Sequence, residues 1–270
     1  MNNPELYDKT GKILDVHMEC VIKDYLGHFS RNGTKQKLAL DLGSGPGWFS
    51  YKYLYQMFSS DIKKMIGVDQ SENMVKYAND HYGCEAITFR KFNFLTDQIP
   101  SDFQERFDYV FSFWALQYLS DYTYGFRRIL QMMKSGGDAL LVFPASCQFF
   151  DMYKVVWTSP KWSKFIEKDD IMDVPFQNCE NREETLREYL CPLGFHTMVS
   201  EIREFSLYFC EETAKGCLWA CLPVLDKIPK GLRSEFVEDH MKEWTPRRNA
   251  DNEQIQYVID YRLFVIYAKK

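Results

Sequence analysis

The chain has 270 residues, of which 46% are hydrophobic and 16% aromatic, and it carries a net charge of -5 at pH 7. This length buries a large core in one domain, and the apolar content excludes a disordered chain. The acidic balance argues against nucleic acid as the main partner, because the basic residues form isolated pairs such as Arg247-Arg248 and Lys269-Lys270 and no long stripe. The aromatic excess needs housing, and an apolar ligand pocket is one place for it.

The opening segment, Met1-Asn-Asn-Pro-Glu5, is polar and acidic, unlike a secretory signal. No apolar run is long and unbroken enough to cross a bilayer. The eight cysteines are scattered without a C-x-x-C. Cys217 and Cys221 stand one helical turn apart but lack a histidine pair, so the thiols read as free and buried and no metal is expected. A reduced, cytoplasmic setting fits these features.

Apolar strands alternate with helical patterns through the first half. Strands are expected at about 38–42, 64–69, 87–92, 107–113 and 138–143, with helical segments near 47–59, 72–80 and 122–134. This alternation predicts a parallel sheet with right-handed crossovers. Gly136-Gly137 breaks the chain before the fifth strand. After Phe143-Pro144 an aromatic segment through Trp157, Trp162 and Phe165 reads as inserted helices. Then come a helix over 182–189, a turn at Gly194, a long alternating strand around 197–209, helices near 211–222 and 230–243, and a strong strand pattern over 257–268. The last strand is expected to return to the first sheet. That gives an α/β, doubly wound, mostly parallel seven-stranded sheet in one domain over 1–270, with helical, aromatic cap insertions at about 145–180 and 211–245. No repeat and no low-complexity segment interrupts it.

The densest signal is Ala39-Leu-Asp-Leu-Gly-Ser-Gly-Pro-Gly47, an apolar run that ends in Asp41 and is followed by glycines at alternate positions. Gly43, Gly45 and Gly47 let the backbone turn sharply and approach a ligand, and the helix that follows aims free N–H groups at the same spot. A dinucleotide site has G-x-G-x-x-G, with its last glycine where this chain has Trp48. A nicotinamide-dependent oxidoreductase is therefore the weaker alternative.

A second run, Lys64-Met-Ile-Gly-Val-Asp69, ends in a carboxylate that can accept from both hydroxyls of a ribose, with Gln70 beside it; it can also cap a helix, in competition with Ser71. At the tip of the third strand Asn93 can hydrogen-bond an adenine edge, and Phe92 or Phe94 can pack on its face. The fourth strand ends in Ser112-Phe113-Trp114 and opens over the cofactor position, with Gln117 and Tyr118 as hydrogen-bonding groups among apolar neighbours.

As a set, D-L-G-S-G-P-G, V-D, F-N and F-D-Y-V-F-S resemble the class I S-adenosylmethionine-dependent methyltransferases over roughly residues 38 to 145. A nearer likeness spans almost the whole chain, through Met1-Asn-Asn-Pro-Glu-Leu-Tyr7, Glu72-Asn-Met-Val-Lys-Tyr-Ala-Asn79, His81-Tyr82-Gly83, Gly137-Asp-Ala-Leu-Leu-Val-Phe143 and Tyr267-Ala-Lys-Lys270. These look like the insect juvenile hormone acid methyltransferases, which methylate the carboxylate of farnesoid acids. The resemblance implies a Rossmann-like methyltransferase fold with the last strand antiparallel, S-adenosylmethionine as cofactor and S-adenosylhomocysteine as product. It implies that Asp41, Gly43, Ser44 and Gly45 cradle the methionine part, Asp69 with Gln70 holds the ribose, Asn93 and Phe94 meet the adenine, and Ser112 and Phe113 lie along the sulfonium side.

Two departures bear on the substrate. The family places a glutamine where this chain has Leu14, and His-Trp where it has Gln117-Tyr118. Gln117 and Tyr118 are then the expected orienting groups for the acid, and Leu14, Trp114, Phe149, Tyr153, Trp157 and Trp219 the expected walls. The expected partner is a lipophilic small-molecule acid, with neither nucleic acid nor a membrane span; a homodimer is compatible with the sequence. The expected reaction is direct in-line methyl transfer to that carboxylate. The competing reading is a catalytically weak or inactive paralogue that keeps the cofactor and an apolar ligand.

Overall fold

The computed structural model describes residues 3–171, 174–248 and 255–270. Its strands are β1 (Lys37–Leu42), β2 (Ile62–Asp69), β3 (Ile87–Lys91), β4 (Phe107–Phe113), β5 (Met133–Cys147), β6 (Thr197–Phe209), β7 (Pro246–Arg248) and β8 (Ile255–Lys269). They form one sheet in the order β3-β2-β1-β4-β5-β8-β6, with β7 paired to β8. The first five strands are parallel, and β8 runs antiparallel to both β5 and β6. The expected seven strands are all present in one mostly parallel sheet, and the short β7 is an eighth.

Side chains alternate between two cores, as strands buried on both faces require. Ala39, Tyr109, Phe111, Leu140 and Val142 face one apolar cluster, and Leu40, Val110, Leu141 and Phe143 face the other. The first cluster is closed partly by α2 (Asp15–Tyr25) and α3 (Glu72–Tyr82), the second by α4 (Tyr122–Met132) and α6 (Arg182–Leu190).

Two local features add to the sequence reading and one corrects it. The segment before β1 holds α1 (Pro4–Gly11), a 3-10 turn (Lys12–Leu14) and α2. Asn3 caps α1 by accepting from Leu6 N at 3.0 Å, with Pro4 and Glu5 in the first turn, a start signal present in the sequence. The helix after the glycine turn is wound as a π-helix over Ser50–Tyr55. Gly136-Gly137 does not precede the fifth strand but lies within it. The strand starts at Met133 and shifts register there, and Gly136, at φ +73°, donates to Lys270 O at 2.7 Å.

The cap is built from α5 (Gln148–Trp157), α7 (Glu211–Cys221) and α8 (Arg233–Glu243). Two indoles lock it. Trp162 donates to Asp239 Oδ2 at 2.9 Å, and Trp157 donates to His240 Nε2 at 3.0 Å. His240 therefore carries its proton on Nδ1, which donates to Phe236 O at 2.7 Å. Burial lowers its pKa to about 4. Because the folded value lies below the unfolded one near 6.5, stability is complete above that pH and is lost as pH falls toward 4. The loss is on the order of 3 kcal/mol. Urea unfolding between pH 7 and 4 should show this slope in the wild type and a shallower one in His240→Gln.

Candidate active site

The strand order fixes where a ligand can sit. The chain runs outward from β1 to β3 and then returns to place β4 on the other side of β1. The loops leaving β1 and β4 therefore diverge, and a crevice opens at the carboxyl ends of the strands.

The turn after β1 is pinned to β2 by Gly43 N and Ser44 N, which donate to Val68 O at 2.8 and 2.9 Å. Gly43, Gly45 and Gly47 all have positive φ, at +77°, +53° and +90°. A Cβ on Gly43 would lie 2.3 Å from Ala115 Cβ, and one on Gly47 would lie 2.7 Å from the Phe89 ring. A Cβ on Gly45 would meet only the Tyr7 ring, at 3.9 Å. Two of these glycines thus serve packing, and Gly45 borders open space. Gly47 supplies the close helix–strand contact one residue earlier than the dinucleotide spacing does. Trp48 turns away from it and donates to Asp15 Oδ2 at 2.7 Å.

Two carboxylates flank the turn. Asp69 accepts from Gly45 N at 3.0 Å and Ser71 N at 2.8 Å. Ser71 is the N-cap of α3, so Asp69 does not serve as that cap. Burial raises its pKa, and the two backbone donors oppose the rise. Asp41 accepts from Ser50 Oγ at 2.5 Å. Burial pushes its pKa up to about 7, with the Asp69 charge adding to the effect and the Ser50 hydroxyl opposing it.

Three cavities adjoin here, and Tyr7 and Trp114 line all of them. The first lies between the glycine turn and the N-terminal helices and includes Asp41, Ser44, Gly45, Phe113 and Leu14. The second extends past Asp69 to Gln70, Phe92, Asn93 and Phe94. The third is apolar, with Leu14, Phe149, Phe150 and Tyr153, and has Gln117 and Tyr118 at its edge. Asn93 donates to Gln70 Oε1 at 3.2 Å and accepts from Leu95 N at 3.0 Å. Its loop is held from behind by the buried Arg128, which donates to the carbonyls of Phe94 and Asp97.

Three residues expected at the site lie elsewhere. Ser112 is fully buried and donates to Leu42 O at 3.0 Å, tying β4 to β1. Trp157 stacks on Tyr153 but points onward to His240. Trp219 packs on the core, because α7 presents Cys217 and Cys221 to the apolar cavity and position 219 falls on another side of that helix. No local sequence signal marks Tyr7, Asp8, Lys12, Asp15 or the Arg128 clamp as lining or supporting this crevice.

The polar atoms left without partners mark the same crevice. Among the described residues five buried side-chain atoms have none: Asp8 Oδ1, Ser44 Oγ, Trp114 Nε1, Gln117 Oε1 and Tyr122 OH. Four of these residues line the three cavities. Such atoms cost free energy until a ligand satisfies them. Trp114 also sits at φ +55°, a conformation that costs a bulky residue about 1–3 kcal/mol. The open cradle at Gly45, the half-buried Asp69 and these donors and acceptors fit a nucleoside that carries a charged tail. Among the described residues no group of three or more His, Cys, Asp or Glu could hold a metal ion, and no helix is long and apolar enough to cross a membrane.

Gly45→Trp should fill this cradle and abolish binding of S-adenosylhomocysteine in calorimetry while leaving a cooperative thermal transition. Gly47→Val should instead lower the melting temperature, through its clash with Phe89. Asp69→Ala should weaken S-adenosylhomocysteine roughly ten- to hundredfold, the worth of hydrogen bonds to a charged acceptor. A change below about threefold would leave Asp69 with its backbone role alone.

Residues 39–137 match the model of a methyltransferase domain. Juvenile hormone acid O-methyltransferase of Bombyx mori is 26% identical over 277 aligned positions, covering 100% of this chain and 98% of that protein. The protein of the same name from Drosophila melanogaster is 27% identical, with 100% and 93% covered. Among solved structures, the YcgJ protein of Bacillus subtilis superposes with a TM-score of 0.55 at 14% identity, over 93% of this chain and 98% of that one. Phosphoethanolamine N-methyltransferase 2 of Haemonchus contortus, solved with S-adenosyl-L-methionine, superposes with a TM-score of 0.51 at 17% identity, over 94% of this chain and 52% of that one. With its switch-point crevice and its glycine cradle, the chain carries a methyltransferase domain over residues 39–137 and is similar to the juvenile hormone acid O-methyltransferases along its whole length.

Proposed function

We propose that this methyltransferase acts on the carboxylate of a lipophilic small-molecule acid, of the farnesoic acid or juvenile hormone acid type. One observation carries the reading. The two cavities that border the glycine turn and the apolar cavity under the cap meet at Tyr7 and Trp114. The two relatives named for juvenile hormone acid supply the substrate class.

Bound S-adenosylmethionine supplies a methyl group on a positively charged sulfur. A carboxylate is ionised at neutral pH and needs no strong base to attack it. No histidine lines the apolar cavity. Burial raises the pKa of the Tyr7 and Tyr153 phenols, so both stay protonated. The chain's part is to position the acid and exclude water. Gln117 and Tyr118 orient the acid: the glutamine hydrogen-bonds the Tyr118 phenol and donates to Trp114 O at 2.8 Å, so the two polar groups stand together at the edge of an apolar space. Phe149, Phe150 and Tyr153 form the wall for the lipid tail.

A second reading, binding of cofactor and apolar ligand with little turnover, is favoured by Leu14, which puts an apolar side chain on both the first and the third cavity. A panel of isoprenoid and fatty acids separates the two. Formation of S-adenosylhomocysteine with a long-chain isoprenoid acid is expected, and binding without product over the whole panel would select the second reading. Tyr118→Phe should lower kcat and leave affinity for S-adenosylhomocysteine unchanged. Wild-type turnover in that variant would remove Tyr118 from the orienting pair.

A further inference from the structure

The first cavity holds more charge than the glycine turn explains. Asp8, Lys12 and Asp15 line it together with Asp41 and Ser44. Asp15 spends Oδ2 on the Trp48 indole, and Asp41 spends Oδ2 on Ser50. Asp8 is different. It is only 8% exposed, its Oδ2 accepts from Lys12 Nζ at 3.2 Å and Tyr82 OH at 2.9 Å, and its Oδ1 is buried with no partner. Lys12, one helical turn on, lies over the Trp48 ring at 4.1 Å from its centre. A buried carboxylate oxygen with no donor is costly, and a second cation removes that cost.

We propose that Asp8 and Lys12 hold the amino-acid end of the cofactor, Asp8 Oδ1 accepting from its ammonium and Lys12 Nζ pairing with its carboxylate. The division between cavities supports this. The second cavity, with Asp69, Asn93 and two phenylalanines, suits a ribose and a flat base and offers no lysine or arginine. It joins the first across Gly43 and Gly45, so a tail leaving the nucleoside over Gly45 enters the charged space. An adjacent acid–base pair is the complement of a zwitterion. The N-terminal helical segment, outside the matched residues 39–137, is then part of the cofactor site. The inference rests on the cofactor assignment and not on the choice of methyl acceptor.

Calorimetry on the full chain tests it with S-adenosylhomocysteine and with methylthioadenosine, which has the same nucleoside and thioether but no amino-acid end. Wild-type protein should bind S-adenosylhomocysteine more tightly. Asp8→Asn should weaken it roughly ten- to hundredfold and leave methylthioadenosine unchanged. Lys12→Met should weaken S-adenosylmethionine and leave its decarboxylated analogue, which keeps the ammonium, unchanged. Asp8 also anchors Tyr82, so Tyr82→Phe is the control; it removes that bond and should leave both nucleosides unaffected. Equal losses for both nucleosides in Asp8→Asn, or no loss for either, overturn the proposal, as does a wild type that does not distinguish them. A wild type that binds neither overturns it together with the cofactor assignment. Tight, discriminating binding without methylation of any acid leaves it standing and refutes the proposed function alone.

Discussion

The site depends on a steric constraint at the end of β1. The chain must turn there within reach of the Val68 carbonyl, with no room for a Cβ at Gly43 against Ala115 or at Gly47 against Phe89. That tight turn leaves the Gly45 backbone facing open space and brings its N–H onto Asp69. A side chain at either packing glycine would push the turn away from Ala115 or from Phe89 on β3, and the crevice between the strand ends would lose its shape. The two aspartates are held in place by this geometry: half-buried Asp69 by two backbone donors and buried Asp41 by Ser50.

Trp114 connects that turn to the apolar side. Its backbone is held in a left-handed conformation by a bond from its N–H to Val142 O at 2.9 Å, and its ring packs edge-on against Tyr261 with centroids 5.2 Å apart. The conformation is costly for an indole, and the surrounding sheet maintains it. The result is a residue that borders the charged cavity, the nucleoside cavity and the apolar cavity at once. Tyr7 does the same from the N-terminal helix. The three cavities therefore adjoin at these two residues.

The cap rests on a different kind of contact. Trp157, His240 and Phe236 form a buried chain of donors and acceptors that fixes the imidazole as neutral. Lys161 and Trp162 both donate to Asp239 on the same helix, at the surface end of that chain. These bonds join α5 to α8 and leave the face of Phe149, Phe150 and Tyr153 toward the cavity.

Local pattern determined much of this protein. Alternating apolar runs located all the strands but the short β7, because a strand buried on both faces has to be apolar along its length. The glycine spacing and the carboxylate at the tip of β2 identified the ligand turn, since both follow from backbone geometry within a few residues. The role of the N-terminal helices was not legible. Asn3-Pro4-Glu5 marks a helix start, but nothing near it says that Asp8 and Lys12 will meet a turn some thirty residues on. Arg128 was equally silent, because its partners are carbonyls, which every residue has. Trp157, Trp219 and Ser112 were expected at the site on composition and position, and packing turned each elsewhere. Only the tertiary structure decides which face of a helix borders a cavity, because that depends on the helix's rotation against the sheet. The sequence by itself determined the strands, the turn and the cofactor class; the folded chain decided which side chains reach them.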